Sequence, residues 1–182
     1  MKKWLKVIGV VSLLILAISV GIIAVSVIVY TRHEGTPTQA THVGRLEYES
    51  VMRETIDLIY IHTSGAEGVL SQIASTWRWA VDSGRDINVE INRTLGLEPM
   101  QNLQNMLRDG NAEIIVNMRE LQNPPDEFLA AYDTLLELFD IYTQLHNLAL
   151  SPSGSLQTFN TTRNDLFIRF DSTLARLDIL LP

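Results

Sequence analysis

The sequence predicts an all-α protein in which one N-terminal transmembrane helix precedes an antiparallel up-down bundle of four to five helices, the first of them long. Three observations favour this fold class. Residues 7–30 form a stretch of twenty-four positions without a charge or a proline. Downstream, apolar residues recur at steps of three and four, which is the spacing of one helix face. Outside the apolar stretch, no segment shows the alternation typical of a β-strand.

The stretch at residues 7–30 has the length of a membrane span. A helix rises about 1.5 Å per residue, so this segment reaches about 36 Å and crosses a hydrocarbon core of about 30 Å with some tilt. Trp4 and Tyr30 lie near its ends, where aromatic rings prefer the headgroup region. A cleaved signal peptide is the alternative, but its apolar run is only about 7 to 15 residues long. We therefore interpret the stretch as an uncleaved signal anchor.

Charge predicts the orientation of this anchor. Lys2, Lys3 and Lys6 precede the span and are the only lysines of the chain. The positive-inside bias places the N-terminus in the cytoplasm, which makes the chain a single-pass protein of the cell membrane. The expected segments are a basic cytoplasmic one at 1–6, the transmembrane anchor at 7–30, a flexible tether at 31–43 and an extracytoplasmic helical bundle at 44–182.

The part of the chain after the span is acidic. Residues 31–182 contain eleven arginines and all twenty-one Asp and Glu residues, so the formal charge is 11 − 21, or −10. This charge repels nucleic-acid phosphates and anionic lipid headgroups, so neither is expected as a partner. The chain has no cysteine, which excludes disulfides, thiol catalysis and Cys-ligated metals.

A single apolar stripe predicts a long first helix from Arg45 to Leu95. Its phase continues through Gly65 and Gly68, where Ser64 and Glu67 resemble a local capping box. Two interpretations stay open: one helix of about fifty residues, or two helices that meet around residues 63–67, and we favour a continuous or merely kinked helix. The stripe consists of Met52, Ile56, Ile59, Thr63, Ala66, Leu70, Ile73, Trp77, Ala80, Gly84, Ile87, Ile91 and Leu95.

Stronger breaks separate the later helices. Gly96 fits a C-terminal cap, and Pro99 fits the first turn of a helix that runs to about Leu121. A fourth segment, residues 125–150, is the most apolar one after the span and is expected to be the most buried. Residues 151–155 are rich in serine, proline and glycine and predict a tight connection to a last helix. Short connections favour antiparallel neighbours.

No constellation for catalysis or cofactor binding is found. None of the four histidines follows a glutamate by three positions, which argues against a di-iron bundle. His62 and His146 are expected at the edges of apolar stripes, in a solvated or hydrogen-bonded role. No strained nucleophile turn and no Gly-rich phosphate loop is present. We therefore expect a protein that is not an enzyme and that uses no cofactor and no metal.

Three residues are candidates for contacts. Trp79 lies about 200° around the helix from Trp77 and, if exposed, is a candidate anchor for a partner protein. The alternative is that the bundle buries Trp79 with Arg78 or Arg85 packed across its ring. Gly84 and Gly110 occupy stripe positions, where they either allow close packing of two helices or leave room for a ligand cavity.

Two classes of function follow from these features. The first is a non-enzymatic interaction or scaffolding role in the cell envelope, with another membrane or envelope protein, or a second copy of the chain, as the partner. The second is a small-ligand binding or sensing bundle, with its pocket near Gly84 and Gly110, that signals through a partner membrane protein.

Overall fold

The computed structural model describes residues 44–181. The predicted basic segment, anchor and tether, and with them Lys2, Lys3, Trp4, Lys6 and Tyr30, lie outside this range. Within it, the chain forms a helical bundle of five α-helices and one short 3-10 helix, and it contains no strand. The helices are α1 (Arg45–Asp82), α2 (Ile87–Leu95), α3 (Glu98–Glu120), the 3-10 helix (Asp126–Phe128), α4 (Leu129–Leu150) and α5 (Leu156–Leu180). None of these helices is long and apolar enough to cross a membrane.

Helix α1 is continuous through Gly65 and Gly68 and ends at Asp82 after 38 residues, a length of about 57 Å. The interpretation as two helices meeting around residues 63–67 is therefore wrong, and so is a helix that continues to Leu95. Packing overcomes the low helix propensity of the two glycines, because this part of α1 contributes the fully buried side chains Ala66, Val69 and Leu70.

The break that the stripe did not predict lies at Gly84. This residue has a φ of +63°, the left-handed conformation that glycine adopts without a steric penalty. The N–H of Arg85 donates to the carbonyl of Ala80 at 2.9 Å, which closes a glycine-based helix end. Asp86 then accepts a hydrogen bond from the N–H of Val89 at 3.1 Å and begins α2.

The later helix boundaries match their sequence signals closely. Gly96 is the C-terminal cap residue of α2, and Pro99 lies in the first turn of α3. The segment after Pro125 begins with the 3-10 turn and continues as α4 to Leu150. Ser155 accepts a hydrogen bond from the N–H of Thr158 at 3.1 Å and starts α5.

Helix α1 is the one helix that contacts all the other described α-helices. It packs against α2, α3, α4 and α5, while α4 also packs against α5 and makes little direct contact with α3. The side chains that fill this core without solvent exposure are mostly Leu, Ile and aromatic: Met52, Ile59, Leu70 and Ile73 of α1, Leu107 and Ile114 of α3, and Leu135, Leu138 and Tyr142 of α4.

Near its start, α1 is attached to the connection between α3 and α4. The hydroxyl of Tyr48 donates to the carbonyl of Leu121 at 2.9 Å, and its ring lies 5.1 Å from that of Phe128. Both aromatic side chains are almost completely buried. This contact places the last turn of α3 against the first turns of α1.

Candidate functional site

Trp79 lies near the end of α1 with 47% of its surface exposed, whereas Trp77 is buried and packs against Phe159 at a ring distance of 5.7 Å. The guanidinium of Arg85 lies over the ring of Trp79, 5.1 Å from its centroid. Both sequence-based alternatives thus apply in part, because Arg85 covers one face of the indole while about half of the residue stays accessible.

Arg85 is itself held by a carboxylate. Its Nη1 lies 3.3 Å from Oε1 of Glu90, and Nη1 of Arg93 lies 3.2 Å from the other carboxylate oxygen. Glu90 is only 5% exposed, so a buried carboxylate with two guanidinium partners fixes the side chain that packs on Trp79. The guanidinium that covers one face of the indole is therefore itself held by an ion pair.

The two glycines that the sequence grouped together lie in different environments. Gly84 belongs to the turn after α1, and a Cβ there would meet no atom within 4 Å. The expectation that Gly84 packs between helices is therefore wrong, because its role is the left-handed backbone of the turn. Gly110 lies in α3 directly against the imidazole of His62, so the space beside it is filled, which fits the close-packing alternative and not the ligand cavity.

His62 belongs to a buried polar cluster between α1, α3 and α4. His62 and His146 are each 7% exposed, and the ring of His146 lies 5.8 Å from that of Tyr142. His62 Nδ1, His146 Nε2 and the Tyr142 hydroxyl have no hydrogen-bond partner among residues 44–181. Of the two expected roles, solvated or hydrogen-bonded, the solvated one is therefore wrong, since tertiary packing encloses both rings.

Burial shifts the pKa values of His62 and Tyr142. Loss of solvent lowers the pKa of His62, an effect that Glu113 opposes and His146 reinforces. Burial also raises the pKa of Tyr142 to about 12. The cluster thus favours a neutral imidazole at His62 and a neutral phenol at Tyr142.

A cleft of about 490 Å³ lies at one end of the bundle, and we call it the α2 cleft. One side of α2 forms a wall, the chain between α4 and α5 forms another, and Trp77 of α1 contributes to the lining. Its residues are Trp77, Asn88, Ile91, Asn92, Leu95 and the segment 150–154. The sequence did not predict this cleft, although Asn88 and Asn92 are one turn apart and so share a helix face.

A smaller and more apolar groove of about 240 Å³ lies between α3 and α4, where the two helices make little direct contact. Met118, Tyr132, Leu136 and Phe139 are among its lining residues, and Leu136 is 42% exposed. Arg119 and Gln122 contribute the polar part of this lining.

Within the range 44–181, no group of three or more His, Cys, Asp or Glu side chains is arranged to hold a metal ion. The features described above are an exposed tryptophan under a paired guanidinium, a buried polar cluster, the α2 cleft and the groove between α3 and α4. Comparison of the chain with protein-family models, curated proteins and solved structures finds no match.

Proposed function

We propose that the protein is a single-pass, membrane-anchored helical bundle outside the cytoplasm with a non-enzymatic interaction or scaffolding role in the cell envelope. In this proposal residues 7–30 span the membrane, the N-terminus is cytoplasmic, and the helices of residues 44–182 follow an antiparallel, up-down order. The partner is another membrane or envelope protein, or a second copy of the chain. Anchoring supports this role because it raises the effective concentration of the bundle near other proteins of the same membrane.

The observation that carries the proposal is the exposure of Trp79 beneath the guanidinium of Arg85. Tryptophan and arginine are enriched among the residues that dominate the energy of protein interfaces. Trp79 is 47% exposed, and the guanidinium of Arg85 lies 5.1 Å from the centroid of its ring. This guanidinium is itself paired with Glu90. An indole that is already ordered loses less conformational entropy on binding, which favours its use as an anchor.

Site-specific photo-crosslinking of the full-length protein in its native membrane tests the proposal. A photoreactive amino acid replaces Asp82, which is exposed and lies about one turn after Trp79 on α1. We expect one discrete protein adduct. The substitution Trp79→Ala in the same chain is expected to weaken the contact by about thirtyfold or more, because removal of such an anchor typically costs at least about 2 kcal/mol.

A photoreactive residue in place of Ile168 is the matched control. Ile168 is an apolar residue of α5 with 70% exposure, and it lies in another helix from Trp79. The proposal is wrong if position 82 gives no adduct beyond that of position 168, or if the adduct at position 82 is unchanged by Trp79→Ala. An adduct with a second copy of the chain identifies self-association as the interaction.

The second candidate function is small-ligand binding or sensing through a partner membrane protein. The α2 cleft favours it, because its volume of about 490 Å³ falls within the range of about 300 to 1,000 Å³ typical of small-molecule sites. This location differs from the one expected from Gly84 and Gly110.

A further inference from the structure

The α2 cleft is built by local features that hold its walls in place. The left-handed Gly84 reverses the chain after α1, and the hydroxyls of Thr76 and Thr94 lie 3.1 Å apart, which attaches α2 to α1. On the opposite wall, Gly154 has a φ of +92° and leads into the cap formed by Ser155. The cleft is therefore formed by the folded chain and needs no ligand to assemble it.

The side chains that line the cleft carry no charge. Asn88 and Asn92 supply amide donors and acceptors, and Ser151 and Ser153 supply hydroxyls. Glu90 and Arg93 lie on a different side of α2, paired with each other at 3.2 Å. A ligand with a net charge would find no counter-charge in this lining, so the cleft suits a neutral molecule.

A small apolar surface also faces the cleft, since Trp77 and Ile91 are only 7% and 8% exposed. Trp77, Ile91 and Leu95 lie among its polar groups, and Ile91 and Leu95 share a side of α2 with the two asparagines. A matching ligand has many hydrogen-bonding groups together with patches of C–H surface. Sugars have this character, because their rings carry hydroxyls at the rim and C–H groups on the faces.

We propose that the α2 cleft is a binding site for a neutral saccharide of mono- or disaccharide size. The amides of Asn88 and Asn92 hydrogen-bond to neighbouring hydroxyls of the sugar, while Trp77, Ile91 and Leu95 contact its C–H surface. The saccharide is either free or the end of a longer glycan, since both present the same chemistry. Trp79 is not part of this lining, so the site rests on the second candidate function, small-ligand binding, and not on the partner contact proposed above.

The test is an NMR titration of the ¹⁵N-labelled full-length protein in a detergent without a sugar headgroup. The probes are maltose, cellobiose and diacetylchitobiose, with maltoheptaose to represent a longer glycan and glucose 6-phosphate as a charged sugar. We expect at least one neutral probe to shift the side-chain amide signals of Asn88 and Asn92 in a saturable manner. Tighter binding of maltoheptaose than of maltose indicates the end of a glycan, and equal binding indicates a free sugar.

Two variants locate the binding. Asn88→Ala and Asn92→Ala are each expected to weaken it by about tenfold, the effect of leaving polar groups of the sugar unpaired. Both asparagines are exposed, so the fold is expected to tolerate the changes. Asn105→Ala, at an exposed position of α3 outside the lining, is the matched control and is expected to bind normally.

Three results would each overturn the proposal. The first is that no neutral sugar produces saturable shifts at millimolar concentration. The second is binding that Asn88→Ala and Asn92→Ala leave unchanged, which places the sugar elsewhere. The third is preference for glucose 6-phosphate over the neutral probes. None of these results changes the crosslinking expected at position 82, so the two proposals succeed or fail separately.

Discussion

Gly110 of α3 lies so close to the imidazole of His62 of α1 that a methyl group at position 110 would overlap the ring. Because His62 is buried between helices, the ring has little room to move away. The absence of a side chain at position 110 therefore sets how closely α1 and α3 approach each other. This contact joins two positions 48 residues apart in the chain.

The first prediction concerns this contact. Gly110→Ala is expected to lower the free energy of unfolding by about 1 to 3 kcal/mol, the usual cost of forcing extra volume into a packed core. Gly68→Ala is the matched control, because Gly68 lies in α1 with open space at its Cβ position. It is expected to stabilise the protein by about 0.5 to 1 kcal/mol through helix propensity. Urea unfolding followed by circular dichroism measures both values, and equal effects of the two substitutions would contradict the contact.

The second prediction concerns the pH dependence of stability. The pKa of His62 is lower in the folded protein than its ordinary value of 6.5, so the unfolded state binds more protons once the pH falls below about 6.5. Above that pH, the contribution of neutral His62 to the free energy of unfolding is fully present. As the pH falls this contribution is lost, by at most about 1.4 kcal/mol per pH unit.

His62→Leu removes this titration and is expected to reduce the slope of the unfolding free energy between about pH 6.5 and 5, the range above the ordinary carboxylate pKa values. Urea unfolding at a series of pH values measures the slope in both proteins. Glu113 and His146 are the charged and titratable groups that act on His62, and both stay in place in the variant. An unchanged slope would show that His62 does not contribute to the pH dependence of the unfolding free energy.

The third prediction concerns the attachment of α1 to the end of α3. Tyr48→Phe removes the hydroxyl that donates to the carbonyl of Leu121 and leaves this acceptor buried without its partner. We expect a loss of about 1 to 3 kcal/mol in the free energy of unfolding. Tyr60→Phe, at a tyrosine of α1 that is 55% exposed, is the control and is expected to change stability by less than about 0.5 kcal/mol. Losses of the same size in both variants would argue against a special role for the Tyr48 hydroxyl.

The fourth prediction concerns the turn between α1 and α2. Gly84→Ala is expected to destabilise the protein by about 1 kcal/mol or more, because an alanine at a φ of +63° is strained. No neighbouring atom would contact the new Cβ, so the loss reports backbone strain alone. Gly84→Asn is expected to cost less, since asparagine adopts the left-handed region more readily. Thermal unfolding compares the two variants. An alanine variant as stable as the wild type would contradict the left-handed backbone conformation of Gly84.

Gly84 also shows why part of the fold was not predictable. Ile87 and Ile91 continue the apolar stripe of α1 in phase, so periodicity alone favours one uninterrupted helix. The chain instead turns at Gly84, which lets α2 fold back and pack against α1. Periodicity indicates which residues are buried, but it does not indicate whether these residues belong to one straight helix or to two helices.

The connections at Gly96, Pro125 and residues 151–155 were predictable because their signals are local. A proline lacks the N–H and the free φ of other residues, and glycine and serine stabilise helix ends through their own backbone and hydroxyl groups. Gly65 and Gly68 carry similar local signals, yet α1 continues through them. Core packing at Ala66, Val69 and Leu70 outweighs a cost of about 1 kcal/mol per glycine.

By itself, the sequence determined that residues 44–181 are all-helical and where most helices begin and end, because periodicity, caps and helix breakers act over a few residues. Only the tertiary structure decided that Gly110 meets His62, that His62 and His146 are buried, and that Asn88 and Asn92 line a cleft with Trp77. These relationships join residues of different helices. They depend on which helix faces meet, and a helix period does not specify this pairing.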